Sequence, residues 1–76
     1  MNDKKRIKLK SACEYLVKAA DIVSEVLDEE QDCLANMPDN LQYSDKYERM
    51  EAAVGELEDG LNDIETAQEH ILEAVN

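Results

Sequence analysis

Two heptad runs of nearly equal length, interrupted by one proline-containing break, constrain this chain more than any other feature. In the first half, Leu9, Cys13, Leu16, Ala20, Val23, Leu27, Glu30, Leu34 and Met37 follow alternating steps of four and three. In the second half, Tyr47, Met50, Val54, Leu57, Leu61, Ile64, Gln68, Ile71 and Val75 do the same. Such steps keep one stripe of a helix turned toward a partner helix, as in a coiled coil or bundle. The pattern predicts an all-α fold: an antiparallel helical hairpin forming a single domain over residues 1–76. Nearly everything outside the two stripes reads as solvated surface.

The boundaries follow from local chemistry. The first helix is expected over about residues 4–36, with Asn2 or Asp3 as its cap, and the cations that follow oppose the helix dipole. Pro38 ends it, because proline disfavours helical geometry in the preceding residue and donates no backbone hydrogen bond. Residues 37–44 form the turn. Ser44 or Asp45 caps a second helix over about 45–75, with Glu48 and Glu51 in its opening turns and Gly55 and Gly60 as weak points inside it.

A second stripe widens the apolar face. Ala53, Gly60, Ala67 and Ala74 stand one position ahead of the seam in the second helix. Ala12, Ala19, Val26 and Cys33 hold the equivalent places in the first, with Tyr15 and Ile22 alongside. A lone hairpin would leave Val17, Ile22 and Val26 partly wet, so two copies are expected to pair as a four-helix-bundle homodimer. A chain of this size gains from such pairing, since small domains bury little core on their own. Disulfides offer no substitute. Cys13 and Cys33 fall roughly 30 Å apart on one helix, and both read as small buried hydrophobes of a reducing cytosol, with an intermolecular bridge as the alternative.

Charge is distributed unevenly. Residues 1–10 set Lys4, Lys5, Arg6, Lys8 and Lys10 against Asp3, a net of +4, and the whole chain carries −11. No lysine or arginine follows Arg49, while Glu51, Glu56, Glu58, Asp59, Asp63, Glu65, Glu69 and Glu73 accumulate. This argues against nucleic-acid binding by the acidic body, which lacks cations to neutralise phosphates, and suits a basic protein partner. The basic start is expected to be neutralised by Glu65, Glu69 and Glu73 of the antiparallel helix. Alternatively, Lys4, Lys5, Arg6 and Lys8 form an anion site. Neither a targeting segment nor a membrane span is apparent, so the expected location is the cytoplasm.

Catalysis finds no support in the sequence. There is no nucleophile paired with a base, no glycine-rich phosphate loop and no Glu-x-x-His motif: Ala67 stands three residues before the single histidine, His70. The chain reads as a non-enzyme with no metal and no cofactor. Glu30 and Gln68 interrupt the apolar seam, either to set register, with Arg49 close enough to pair with Glu30, or, for Glu30, as a buried functional carboxylate. Around the turn, Leu41, Tyr43 and Tyr47 gather apolar and aromatic groups. They either plug the bundle end or form a partner-binding tip, and the carboxylates Glu51, Glu58, Asp59, Asp63 and Glu65 would extend that surface.

The run from Asp28-Glu29-Glu30-Gln31 through Asn36-Met37-Pro38-Asp39-Asn40-Leu41-Gln42-Tyr43-Ser44 resembles a pattern in small acidic proteins of bacteriophages and prophages. Met50-Glu51-Ala52-Ala53 and Leu57-Glu58-Asp59-Gly60-Leu61 look like the amphipathic helix that follows in those proteins. The resemblance covers roughly residues 21–76 and carries no catalytic or binding residues with it. It implies an accessory protein in a bacterial host cell that binds and inhibits a host protein, such as a defence component with a basic groove. A structural adaptor in phage assembly, or a sponge holding an anionic nucleotide at the basic N-terminus, are the alternatives.

Overall fold

In the computed structural model, which describes residues 1–76, helix α1 (Asp3–Ala35) and helix α2 (Asp45–Val75) are joined through a single 3-10 turn (Asp39–Leu41), with no strand. The two helices lie antiparallel against each other as an all-α hairpin. Its Cα trace spans 59 × 15 × 13 Å with a radius of gyration of 17.3 Å. A compact chain of this length would have about 11 Å. The molecule is a rod.

All eighteen seam residues are buried or half-buried, Glu30 and Gln68 included. Read in opposite directions, the two seams match step for step, setting Leu9 level with Val75, Leu27 with Leu57 and Met37 with Tyr47. Two cross-helix hydrogen bonds flank that register. Arg6 Nε donates to the Val75 carbonyl at 3.2 Å, and Gln31 Nε2 donates to Glu58 Oε1 at 3.1 Å. Only Cys13, Leu27, Val54 and Val75 are buried. Two helices shield one side of each seam residue and leave the other side to water. Each therefore contributes only part of the roughly 1.5–3 kcal/mol that full burial of an aliphatic side chain supplies.

Helix α1 begins one residue before its expected start because the Asn2 side chain caps it, accepting from Lys5 N at 2.9 Å. It ends at Ala35, one residue short of the expected Asn36, whose φ of −95° and ψ of 2° leave the helical region. Pro38, at φ −58° and ψ 145°, then turns the chain outward. The reversal uses no left-handed residue. Side chains hold it instead. Ser44 Oγ donates to the Leu41 carbonyl at 2.7 Å and accepts from Tyr47 N at 3.2 Å, so one hydroxyl closes the 3-10 turn and caps α2. Gln42 Nε2 donates to the Met37 carbonyl at 3.4 Å and to Asp39 Oδ1 at 3.3 Å, tying the turn back to the end of α1.

Substitution Ser44→Ala should cost about 1 kcal/mol, a typical loss for an N-cap. Ser44→Asp, which can still accept from Tyr47 N, should recover most of it. Thermal unfolding followed by circular dichroism measures both, and equal losses would show that the bond to Leu41 is what matters. At Gly55 nothing beyond the surrounding backbone of α2 lies within 4 Å of where a Cβ would stand. Gly55→Ala should therefore stabilise the hairpin by about 1 kcal/mol through helix propensity alone.

Candidate functional site

No cavity indents the rod, and no three His, Cys, Asp or Glu side chains converge as a metal site. No helix is long and apolar enough to cross a membrane. What the molecule offers is surface, in three regions fixed by the hairpin.

The first is the open end, where the N-terminus of α1 meets the C-terminus of α2. Lys4, Lys5 and Lys8 are exposed and Arg6 is half-buried. The expected neutralisation by Glu65, Glu69 and Glu73 does not form. The chain's one ion pair is Arg6 with Asp3, at 3.4 Å, and the link across the helices runs from Arg6 to the backbone carbonyl of Val75. The physical reason lies in the helix end. The last turn of α2 has unsatisfied carbonyls and no basic residue of its own, and a cation there complements the negative end of the dipole. Arg6 supplies it from the neighbouring helix. The three lysines keep no carboxylate partner and line no pocket.

The second region is the outer surface of α2. Glu51, Glu58, Asp59, Asp63 and Glu65 are all exposed, as are Asp45, Glu48, Glu56, Glu69 and Glu73. These ten carboxylates spread around α2 from the flank of the seam, where Glu51, Glu58 and Glu65 each follow a seam residue, to the outer side of the helix. At about 1.5 Å per residue, they recur once per roughly 4.6 Å of axis. Only Glu58 takes a side-chain hydrogen bond, from Gln31. None is in an ion pair.

The third is the turn. Tyr43 is 92% exposed and Leu41 44%, so Leu41 does not seal the end of the bundle. The 3-10 turn carries Leu41 past the last seam layer, and half-buried Met37 and Tyr47 close it instead. Tyr43 and Leu41 project apolar surface at the tip beside the first carboxylates of α2.

Two further expectations are corrected. Glu30 is half-buried with no ion pair to Arg49, which is exposed; Glu30 is level with Val54, and Arg49 stands five residues before that, about 100° round the helix from the seam residue Met50. Cys33 is exposed and only Cys13 is buried. Cys33 precedes the seam residue Leu34 by one position, about 100° round the helix, and a two-helix contact is too narrow to cover it. His70 is also exposed. What the sequence reading missed was Arg6 as a cap for the other helix. The signal was present in the absence of any cation after Arg49.

Fold and surface together define an all-α helical hairpin whose polar and charged groups lie on its faces. Compared with known proteins, the chain matches no family model, no curated protein and no solved structure.

An unpaired carboxylate in a seam should be a liability. Glu30→Leu is expected to raise stability by about 1 kcal/mol while keeping the hairpin, because an apolar side chain regains seam burial. Urea unfolding measures this, and a destabilised variant would show that Glu30 earns its place by a contact outside the single chain.

Proposed function

We propose that this chain is a non-enzymatic binding protein that acts as a pair of hairpins and presents the acidic outer surface of α2 to a cationic groove on another protein. The observation that carries this reading is the set of ten exposed carboxylates along α2, none of them in an ion pair. One carboxylate per roughly 4.6 Å of helix axis is a linear charge density of the same order as the one phosphate per 3.4 Å along a strand of DNA. A groove built to neutralise phosphates would meet a comparable charge density here, held rigid along a helix. Such complementarity steers encounter and raises the association rate. Tyr43 and Leu41, exposed at the tip, then supply the desolvated anchoring contacts that long-lived complexes need.

The resemblance to small acidic phage and prophage proteins gives this activity a setting. In it, the partner is a host protein of the bacterial cytoplasm, and occupation of its basic groove inhibits it, as an anti-defence factor would. The competing role is an adaptor in phage assembly, favoured by the exposed apolar side chains of α1, notably Tyr15 and Ile22.

Affinity capture from a bacterial lysate, repeated with variants, separates the two. Under the inhibitor reading, a captured basic protein is lost when Glu51, Glu58, Asp59, Asp63 and Glu65 are replaced by their amides. Its association slows steeply as salt rises. Tyr43→Ala should instead speed dissociation. Retention of the same partner by the five-fold amide variant, with binding indifferent to salt, would remove the groove-mimic reading and leave the adaptor.

A further inference from the structure

Helix α1 carries its charge in the wrong direction for its own dipole. Residues 3–18 hold six cations and two acids, a net of +4, and residues 19–35 hold six acids and no cation. Cations are favoured at a helix C-terminus and carboxylates at its N-terminus, the reverse of this order. Arg6 is taken up by the end of α2. Lys4, Lys5 and Lys8 keep no carboxylate partner, and none of Glu25, Glu29 and Asp32 is in an ion pair.

Between the two charged ends of α1 runs an apolar stripe that the hairpin leaves open. It passes through Ala12, Tyr15, Ala19, Ile22 and Val26 in steps of three and four, about 100° round the helix from the seam. Tyr15, Ile22 and Val26 are 69, 62 and 42% exposed. The same steps carry the stripe back to Lys8 and Lys5 and on to Glu29, so its ends bear opposite charge. A surface patterned in this way is complementary to a reversed copy of itself.

We infer that α1 pairs antiparallel with α1 of a second copy along this stripe, about a two-fold axis lying across the rod. This deepens the pairing proposed above and rests on it. An axis across the rod leaves the register between copies free, and Glu29 selects it. Stripes of this period mesh in registers seven residues apart. In one of them Glu29 is level with the partner's Lys5. A shift of seven residues one way sets Glu29 on the partner's Ala12 and Tyr15 on its Val26; the other way carries Glu29 past the partner's first residue.

In the selected register the axis crosses α1 at the height of Val17, and each contact occurs twice. Large meets small, with Ile22 level with the partner's Ala12 and Tyr15 with its Ala19. Val26 lies on the aliphatic stem of the partner's Lys8. At the flank, Glu25 comes within one residue of level with the partner's Lys8, and Asp32 within two of its Lys4. The three lysines without carboxylates and the three carboxylates without cations thus meet each other. One like-charged approach remains, where Lys18 nears its own copy beside the axis. Its ammonium leans back over the Tyr15 ring, 5.6 Å from the centroid.

The same axis stacks α2 on α2, because both stripes one position ahead of the seam fall on one broad face. The overlap there holds small residues: Gly60 is level with the partner's Ala74, and Ala67 with its own copy. In the single hairpin nothing beyond the surrounding backbone lies within 4 Å of where a Gly60 Cβ would stand. Asp59 and the partner's Glu73, both exposed at the rim, are the like-charged pair of that side. Glu51, Glu58 and Glu65 stay on the opposite face of each copy, open to a basic partner.

Sedimentation equilibrium at physiological salt, which screens the net charge of each chain, tests this with two charge reversals. The wild-type chain should be a dimer. Lys5→Glu and Glu29→Lys should each raise its Kd about tenfold, because two exposed pairs per dimer turn from attraction to repulsion. Combined in one chain, they should restore wild-type affinity. The two positions stand about 36 Å apart on their own helix, so only contact between copies can compensate. Neither reversal should lower helicity by circular dichroism, since each places its charge at the end of α1 that the dipole favours. Ile22→Glu should give a monomer, again with helicity intact. A wild-type chain that stays monomeric would overturn both this inference and the pairing beneath it. A wild-type dimer in which the reversals do not compensate, or which survives Ile22→Glu, would overturn the arrangement alone.

Discussion

Contact along a single stripe per helix is the constraint from which the rest of the structure follows. Two helices touching along one line exclude water from one side of each seam residue, and only four residues of this chain become buried. A rod built this way has no interior in which to isolate a substrate, a metal or an ionised pair. Whatever chemistry it performs has to be done by surfaces, and the heptad spacing decides which residues share a surface. Tyr15, Ile22 and Val26 are outward because Leu16, Val23 and Leu27, one residue later in each case, are inward.

The antiparallel arrangement also organises the charge. It brings the cationic start of α1 beside the carbonyl-rich end of α2, where Arg6 meets Val75. The cluster Lys4–Lys10, unfavourable for the dipole of its own helix, becomes favourable for that of its neighbour. The last turn of α2 thereby needs no cation of its own, and beyond Arg49 every exposed charged side chain of α2 is a carboxylate. Self-repulsion among them is moderated by exposure to solvent and by salt. The proposed partner surface and the capping of the open end are two results of one topology.

Much of this was legible in the residues. The seam could be read position by position because its period belongs to the helix itself, and Pro38 and Ser44 mark the turn through backbone chemistry that depends on nothing distant. Charged contacts were less readable. The expected pairs between the basic start and Glu65, Glu69 or Glu73, and between Glu30 and Arg49, required side chains to meet across several ångströms. A backbone carbonyl, invisible in a side-chain pattern, took the first role. Cys33 was misplaced for a related reason: composition says that cysteine is often buried, but the width of a two-helix contact sets the limit. The 3-10 turn at Asp39–Leu41 carries no period long enough to detect, and it moved Leu41 off the bundle end.

Pairing by height has a kinetic corollary. Met37 and Tyr47 are ten positions apart along the chain, whereas Leu9 and Val75 are separated by sixty-six. Closing the first loop sacrifices little chain freedom, and each later rung adds only a short increment to a loop already closed. Folding is thus directed to begin at Ser44 and zip toward the termini, with the long-separated contacts assembled last and opened first. The end bearing Arg6 is the fraying end, and the tip bearing Tyr43 is anchored in the part of the molecule that organises earliest.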